Sequence, residues 1–154
     1  MSNKKVVLAG AGTMGASLAQ VYALGGWETY LYNRSQKGLD RAKELIRINE
    51  SVLVEENIIT PEASQQVIDG IVLTTDKACF TDANLVVESI VEDLGAKQSF
   101  WAETSQLVPD SALLATNTSG RKNARTRCRA WEKPRGRQGH QRLCHQPPAI
   151  RRAA

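Results

Sequence analysis

Several things are scarce in this sequence, and each shortage narrows what the protein can be. It has three cysteines, Cys79, Cys128 and Cys144. They form no paired spacing and their number is odd, which argues against a disulfide framework and suits a reducing compartment. Cys79 reads as a small buried residue. Long apolar runs are missing too. The first one, beginning at Lys5, is cut by Gly10 and Gly12, too early for a signal-peptide core or a membrane span. The expectation is a cytoplasmic protein with no membrane association. Histidine occurs only at positions 140 and 145, and no metal site is expected.

Acidic residues are missing from one end. Residues 1–120 carry 9 Lys+Arg against 15 Asp+Glu, a net of −6, whereas residues 121–154 carry 11 against 1, a net of +10. The formal charge of +4 therefore belongs to the tail alone. A polyanion could bind such a segment nonspecifically, but the segment has a single aromatic residue, Trp131, and no recognised motif. Nucleic acid is thus a disfavoured partner. The alternative kept open is a non-catalytic dinucleotide-binding protein whose basic tail engages polyanions.

What remains is ordinary for a globular chain: 42% hydrophobic residues over a length that holds one domain rather than two. "KVVLA" (5–9) reads as a buried parallel strand. "TMGASLAQVYALGG" follows as a helix, with Met14, Leu18, Val21 and Tyr22 at helical spacing and Gly25–Gly26 as its stop. "ETYLY" (28–32) is a second strand. A long amphipathic helix is predicted from Ser35 to about Asn57, with Leu39, Ala42, Leu45, Ile46, Ile48 and Val52 as its candidate buried positions. Thr60-Pro61-Glu62 starts another helix, running to about Ile68, with a cap, a first-turn proline and an early acid.

Strands at 71–75, 84–90 and 112–117, with a helix over 94–107 carrying Phe100 and Trp101 on its apolar side, complete an alternating pattern. Such alternation implies an α/β fold: a doubly wound, Rossmann-type parallel sheet, here incomplete, with a helical excursion between strands two and three. The domain is expected to end near residue 120. Beyond it the periodicity fails, and the composition of 121–154 predicts disorder.

Gly10-Ala11-Gly12-Thr13-Met14-Gly15 fits GxGxxG between a strand and a helix inside a βαβ unit. In that setting Gly10 permits the turn, Gly12 lets a pyrophosphate approach the backbone, and Gly15 allows the helix close to the strand. The helix start then offers amides to the phosphate charge. The plainer reading is a glycine turn without a ligand. The ribose-reading position about 20 residues on is held by Asn33, with Arg34 and Ser35 after it. No carboxylate is there to repel a 2′-phosphate and a guanidinium is close by, which favours NADP over NAD, or tolerance of both. Against this stands Arg34 as a solvent residue at a helix start. Asn117, Thr118 and Ser119 follow the fifth strand, where composition alone leaves helix capping and catalysis both open.

The segments "VVLAGAGTMGASLAQVYALGGWETYLYNRS", "NLVVESIVEDLGAKQSFWAE" and "ALLATNTS" together strongly resemble the NAD-binding domain of the 3-hydroxyacyl-CoA dehydrogenase family, over residues 4–120. The resemblance implies an NAD-dependent oxidoreductase of fatty acid metabolism, exchanging a hydride between nicotinamide and C3 of an acyl-CoA. It implies Glu92 and Lys97 along the cofactor site, Asn117 near the nicotinamide and Ser119 bonded to the substrate's C3 oxygen. For Glu92 and Lys97 taken alone, a solvated charge pair is the ordinary state. The family's G-x-H-F-F-N-P segment, which carries the acid/base histidine, has no counterpart here, and His140 and His145 sit in no such context. Nor is there a counterpart of the family's helical C-terminal domain, which forms its homodimer. The chain reads as truncated and inactive alone.

The tail itself carries one more pattern. Back-translated from Trp131 and shifted forward by one base, residues 131–152 can read GKNPVVVKDTNGFVTNRLLFAG, which resembles the strand and domain entry that follow in the family. The tail is therefore expected to be an out-of-frame product, and the coding DNA across residue 120 decides it.

Overall fold

The structure is a computed structural model and describes residues 4–117. Its elements follow the order β1 (Lys5–Ala9), α1 (Thr13–Leu24), β2 (Glu28–Tyr32), α2 (Gln36–Glu55), α3 (Pro61–Asp69), β3 (Ile71–Thr74), a single 3₁₀ turn (Lys77–Phe80), β4 (Leu85–Glu88), α4 (Leu94–Leu107) and β5 (Leu113–Thr116). The five strands are all parallel, in the order β3-β2-β1-β4-β5. The chain leaves β1 toward β2 and β3, then returns to its other side with β4. That reversal is the topological switch of a doubly wound sheet.

Strand residues alternate between two cores, as a sheet covered on both faces requires. Val6, Leu8, Leu31 and Val87 join Ala16, Ala19, Ala42, Ile46 and Val67 under α1, α2 and α3. Val7, Ala9, Tyr32 and Val86 join Phe80, Trp101 and Val108 under α4 and the 3₁₀ turn. All five residues of β1 are buried, which is why no polar side chain except the snorkelling Lys5 occurs in it. The Lys5 ammonium pairs with Asp82 and lies 4.1 Å from the centroid of the Tyr30 ring.

Local signals set the helix starts. Ser35 caps α2 by accepting from the Gly38 N–H, and Thr60 caps α3 by accepting from the Ala63 N–H, with Pro61 in the first turn. The 3₁₀ turn, capped by Asp76, was not expected from the sequence; four residues are too short to show a period.

The inward face of α1 does not follow its apolar spacing, and that of α2 differs in part from the sequence expectation. On α1 the inward residues are Gly15, Ala16, Ala19 and Gln20, while Met14 and Val21 are exposed. Close approach to β1 selects small side chains over large ones on that face. On α2, Leu39, Ala42 and Ile46 are buried as expected, but Ile48 and Val52 are exposed and Glu50 turns inward instead. Glu50 is accommodated by the amide of Gln20 on α1, whose Nε2 donates to Glu50 Oε1 at 2.7 Å, while Asn49 Nδ2 donates to Gln20 Oε1 at 3.0 Å.

Cys79 is buried, as expected, and loss of hydration pushes its thiol up to about 11 from an ordinary 9.0. The folded state thus holds the neutral thiol while the unfolded chain releases its proton near the ordinary value. The associated stability is complete below about pH 9 and declines as pH rises toward 11. Urea midpoints measured from pH 8 to 11 should fall less steeply in Cys79→Ala than in wild type. Parallel slopes would contradict this.

Among the described residues no helix is long and apolar enough to cross a membrane. The expected end of the domain near 120, the tail, and Cys128, Cys144, His140 and His145 lie outside the described residues.

Candidate dinucleotide site

A row of backbone hydrogen bonds runs along the carboxyl edge of the sheet, one step beyond the strands. The Asn33 N–H donates to Thr74 O at 3.1 Å, Gly10 to Tyr32 O at 2.9 Å, Ser89 to Ala9 O at 2.8 Å and Asn117 to Glu88 O at 2.8 Å. Asn33, Gly10, Ser89 and Asn117, far apart in sequence, thereby stand in one row at the ends of β2, β1, β4 and β5. With strands about 4.8 Å apart, the row from Asn33 to Asn117 spans about 14 Å. Ligands of open parallel sheets bind along this edge, at the switch between β1 and β4.

The glycines at the switch have three different surroundings. Gly10 has a φ of +112°, and a Cβ there would collide with the Ser89 carbonyl group, whose carbon would be 2.7 Å away. A Cβ on Gly15 would run into the Gly10 carbonyl, 3.0 Å from its carbon, with Leu31 Cδ1 at 3.6 Å. Gly10 and Gly15 are therefore required by the fold itself. Gly12 is different: it has an ordinary φ of −79° and, apart from its chain neighbours, nothing among the described residues within 4 Å of where a Cβ would stand. The fold leaves that space open in front of the α1 N-terminus, where first-turn amides have no intrahelical acceptor. Thr13 and Met14 are exposed in that first turn, and Ala11 is half-buried. The residues present fit a bound pyrophosphate.

Asn33 is held in place by its neighbours. Its Nδ2 donates to Ser35 O at 3.1 Å and to Ser35 Oγ at 3.2 Å, and its Oδ1 accepts from the Ala11 N–H at 3.4 Å. A Cβ on Gly38 would collide with this amide, 3.1 Å from its Cγ, so Gly38 keeps room for it. Asn33 thus ties the glycine turn to the start of α2. Arg34, next to it, is exposed.

Across the switch, Glu92 is exposed in the loop before α4, whose N-cap Asp93 accepts from the Ala96 N–H at 2.7 Å. Lys97 is buried, and its ammonium donates to Glu88 Oε1 at 2.8 Å. Lys97 is thus buried rather than solvated. Asn117 is exposed and its Nδ2 reaches Ser89 Oγ at 3.4 Å. Ser119 and Thr118 lie outside the described residues.

Glu88 and Ser89 were given no role from the sequence, and Gly38 was not singled out. The available signal for Glu88 was a carboxylate closing an otherwise apolar strand, "LVVE". Among the described residues no group of three or more His, Cys, Asp or Glu is placed to hold a metal ion.

A parallel sheet with its switch beside a glycine turn, and a helix opening on unfilled space, defines a Rossmann dinucleotide-binding domain. Comparison with known proteins narrows this. The chain belongs to the family described as "3-hydroxyacyl-CoA dehydrogenase, NAD binding domain", which matches residues 5–130. A Deinococcus radiodurans protein named "Probable 3-hydroxybutyryl-CoA dehydrogenase" is 38% identical over 110 residues, covering 71% of this chain and 39% of that protein.

Among solved structures, 3-hydroxybutyryl-CoA dehydrogenase from Escherichia coli superimposes with a TM-score of 0.72 at 32% identity, over 77% of this chain and 25% of the other. FadB2 of Mycobacterium tuberculosis gives 0.75 at 28% identity, over 82% and 46%. The chain therefore spans less than half the length of these relatives.

Proposed function

We propose that this chain is the cofactor-binding part of an NAD(P)-dependent 3-hydroxyacyl-CoA dehydrogenase, with the dinucleotide lying across the carboxyl edge and its pyrophosphate over Gly12. The observation that carries this reading is the contrast among the three glycines. Gly10 and Gly15 are demanded by the packing, whereas no described residue beyond the chain neighbours comes within 4 Å of where a Cβ on Gly12 would stand.

When bound, the nicotinamide cofactor supplies hydride exchange with C3 of an acyl-CoA. The chain's own residues bind and orient. Amides of Thr13, Met14 and Gly15 meet the phosphate charge. Glu92, Lys97 and Asn117 border the nicotinamide half, and Ser119 bonds the C3 oxygen of the substrate. Residues 1–120 contain no histidine, and proton transfer at the substrate oxygen is the task for which that side chain is most often used. The chain accordingly binds cofactor without turning over acyl-CoA. The domain ends near residue 120, the basic segment plays no part in binding, and acyl-CoA and the homodimer partner belong to a longer, cytoplasmic enzyme.

Cofactor choice follows from Asn33 and Arg34. A neutral amide repels no 2′-phosphate, and an exposed guanidinium beside it attracts one. NADPH is therefore expected to bind more tightly than NADH. In Asn33→Asp, a carboxylate replaces the amide that donates to Ser35, and the NADPH-to-NADH affinity ratio should fall by about tenfold or more. Titration of both nucleotides against both proteins checks this, and an unchanged ratio would sink it.

A further inference from the structure

Glu88 is the last residue of β4, and its side chain is 1% exposed. A carboxylate removed from water must be matched by donors or it destabilises the fold. Here Oε1 accepts from Lys97 Nζ at 2.8 Å and from the Ile90 N–H at 2.9 Å, and Oε2 accepts from Thr116 Oγ1 at 2.7 Å. The three donors come from α4, from the loop leaving β4, and from the end of β5. The backbone carbonyl of Glu88 accepts from the Asn117 N–H as well. One buried residue therefore fixes each segment that borders the carboxyl edge on the side of Gly10 away from β2.

That side has a defined place in the cofactor geometry. The adenosine ribose is read at the end of β2 and the pyrophosphate sits at the start of α1, so the nicotinamide half extends over β4 and β5. We infer that Glu88 is a positioning residue for that half: its carboxylate holds the Lys97 ammonium, the Ile90 amide and the Thr116–Asn117 corner in the arrangement that receives the nicotinamide riboside. It touches no cofactor atom itself. The inference rests on the cofactor reading above. A purely structural role would weaken every part of the binding edge alike, whereas a positioning role weakens one half.

The test compares each full dinucleotide with the same molecule lacking nicotinamide: NADH with ADP-ribose, and NADPH with 2′-phospho-ADP-ribose. In the full chain, Glu88→Gln should weaken the dinucleotide by about tenfold and the truncated ligand by no more than about twofold. Thr116→Val removes one neutral donor of nearly equal shape and should show a smaller split in the same direction. This second variant carries the test if Glu88→Gln does not fold. Equal losses for both ligands, or no loss in any folded variant, would overturn the inference while leaving the cofactor reading intact. If the wild-type chain binds neither member of either pair, the cofactor reading itself fails and this inference falls with it.

Discussion

A Gly12→Ala variant is expected to melt within a few degrees of wild type and to lose dinucleotide affinity by about a hundredfold. Residue 12 is the N-cap of α1 with extended, negative-φ backbone, so alanine there costs at most about 1 kcal/mol through the weaker cap. Apart from its chain neighbours, its methyl group meets no atom of the described residues within 4 Å. What it would meet is the proposed pyrophosphate, whose contact with the helix amides depends on backbone approach without an intervening Cβ. Thermal melts and nucleotide titrations on one preparation check both halves. An affinity within threefold of wild type would remove Gly12 from the site.

Gly15→Ala should do the opposite and act first on stability. Its Cβ would overlap the Gly10 carbonyl, which is backbone and is fixed by the Gly10 N–H bond to Tyr32 O at 2.9 Å. Relief requires α1 to move away from β1, opening the core that Ala16 and Ala19 close against Val6 and Leu8. Overpacking of this kind costs about 1–3 kcal/mol, and more where backbone must yield. In a domain stable by about 5–15 kcal/mol that is a large share. The denaturant midpoint should drop clearly, with affinity lost in proportion to unfolding. A midpoint equal to wild type would show that the helix does not press on the turn as described.

The two glycines also show which parts of the fold were legible in sequence. The strand, glycine turn, helix and second strand announce themselves through β-branched runs and spacing. Ser35 and Thr60-Pro61 mark helix starts by capping chemistry that is local and needs no partner. The inward face of α1 does not follow its apolar spacing, because close packing on β1 selects Gly15, Ala16 and Ala19 while Met14 and Val21 stay exposed. Size complementarity is a property of two elements, and one helix sequence does not display it.

The same reason explains the site. Asn33 was legible as a position about 20 residues past the turn, but its bonds to Ser35 and Ala11 depend on the course of the chain around it. Composition left Asn117 between capping and catalysis; the structure places it in the row of carboxyl-edge hydrogen bonds. Charged residues read as solvated by default, so the Glu88–Lys97 pair emerged only when β4, β5 and α4 came together. Glu50, facing inward against Gln20, escaped notice for the same cause.

The central claim is that one nicotinamide dinucleotide binds across the switch between β1 and β4. Amide-resolved NMR of the full chain titrated with NADPH tests it most directly. The expected result is one saturable set of shifts, largest at Gly12 to Gly15 and continuing through Ser89, Ile90 and Asn117. Saturable shifts centred elsewhere, or none in a folded sample titrated with NADPH and then NADH, would contradict it.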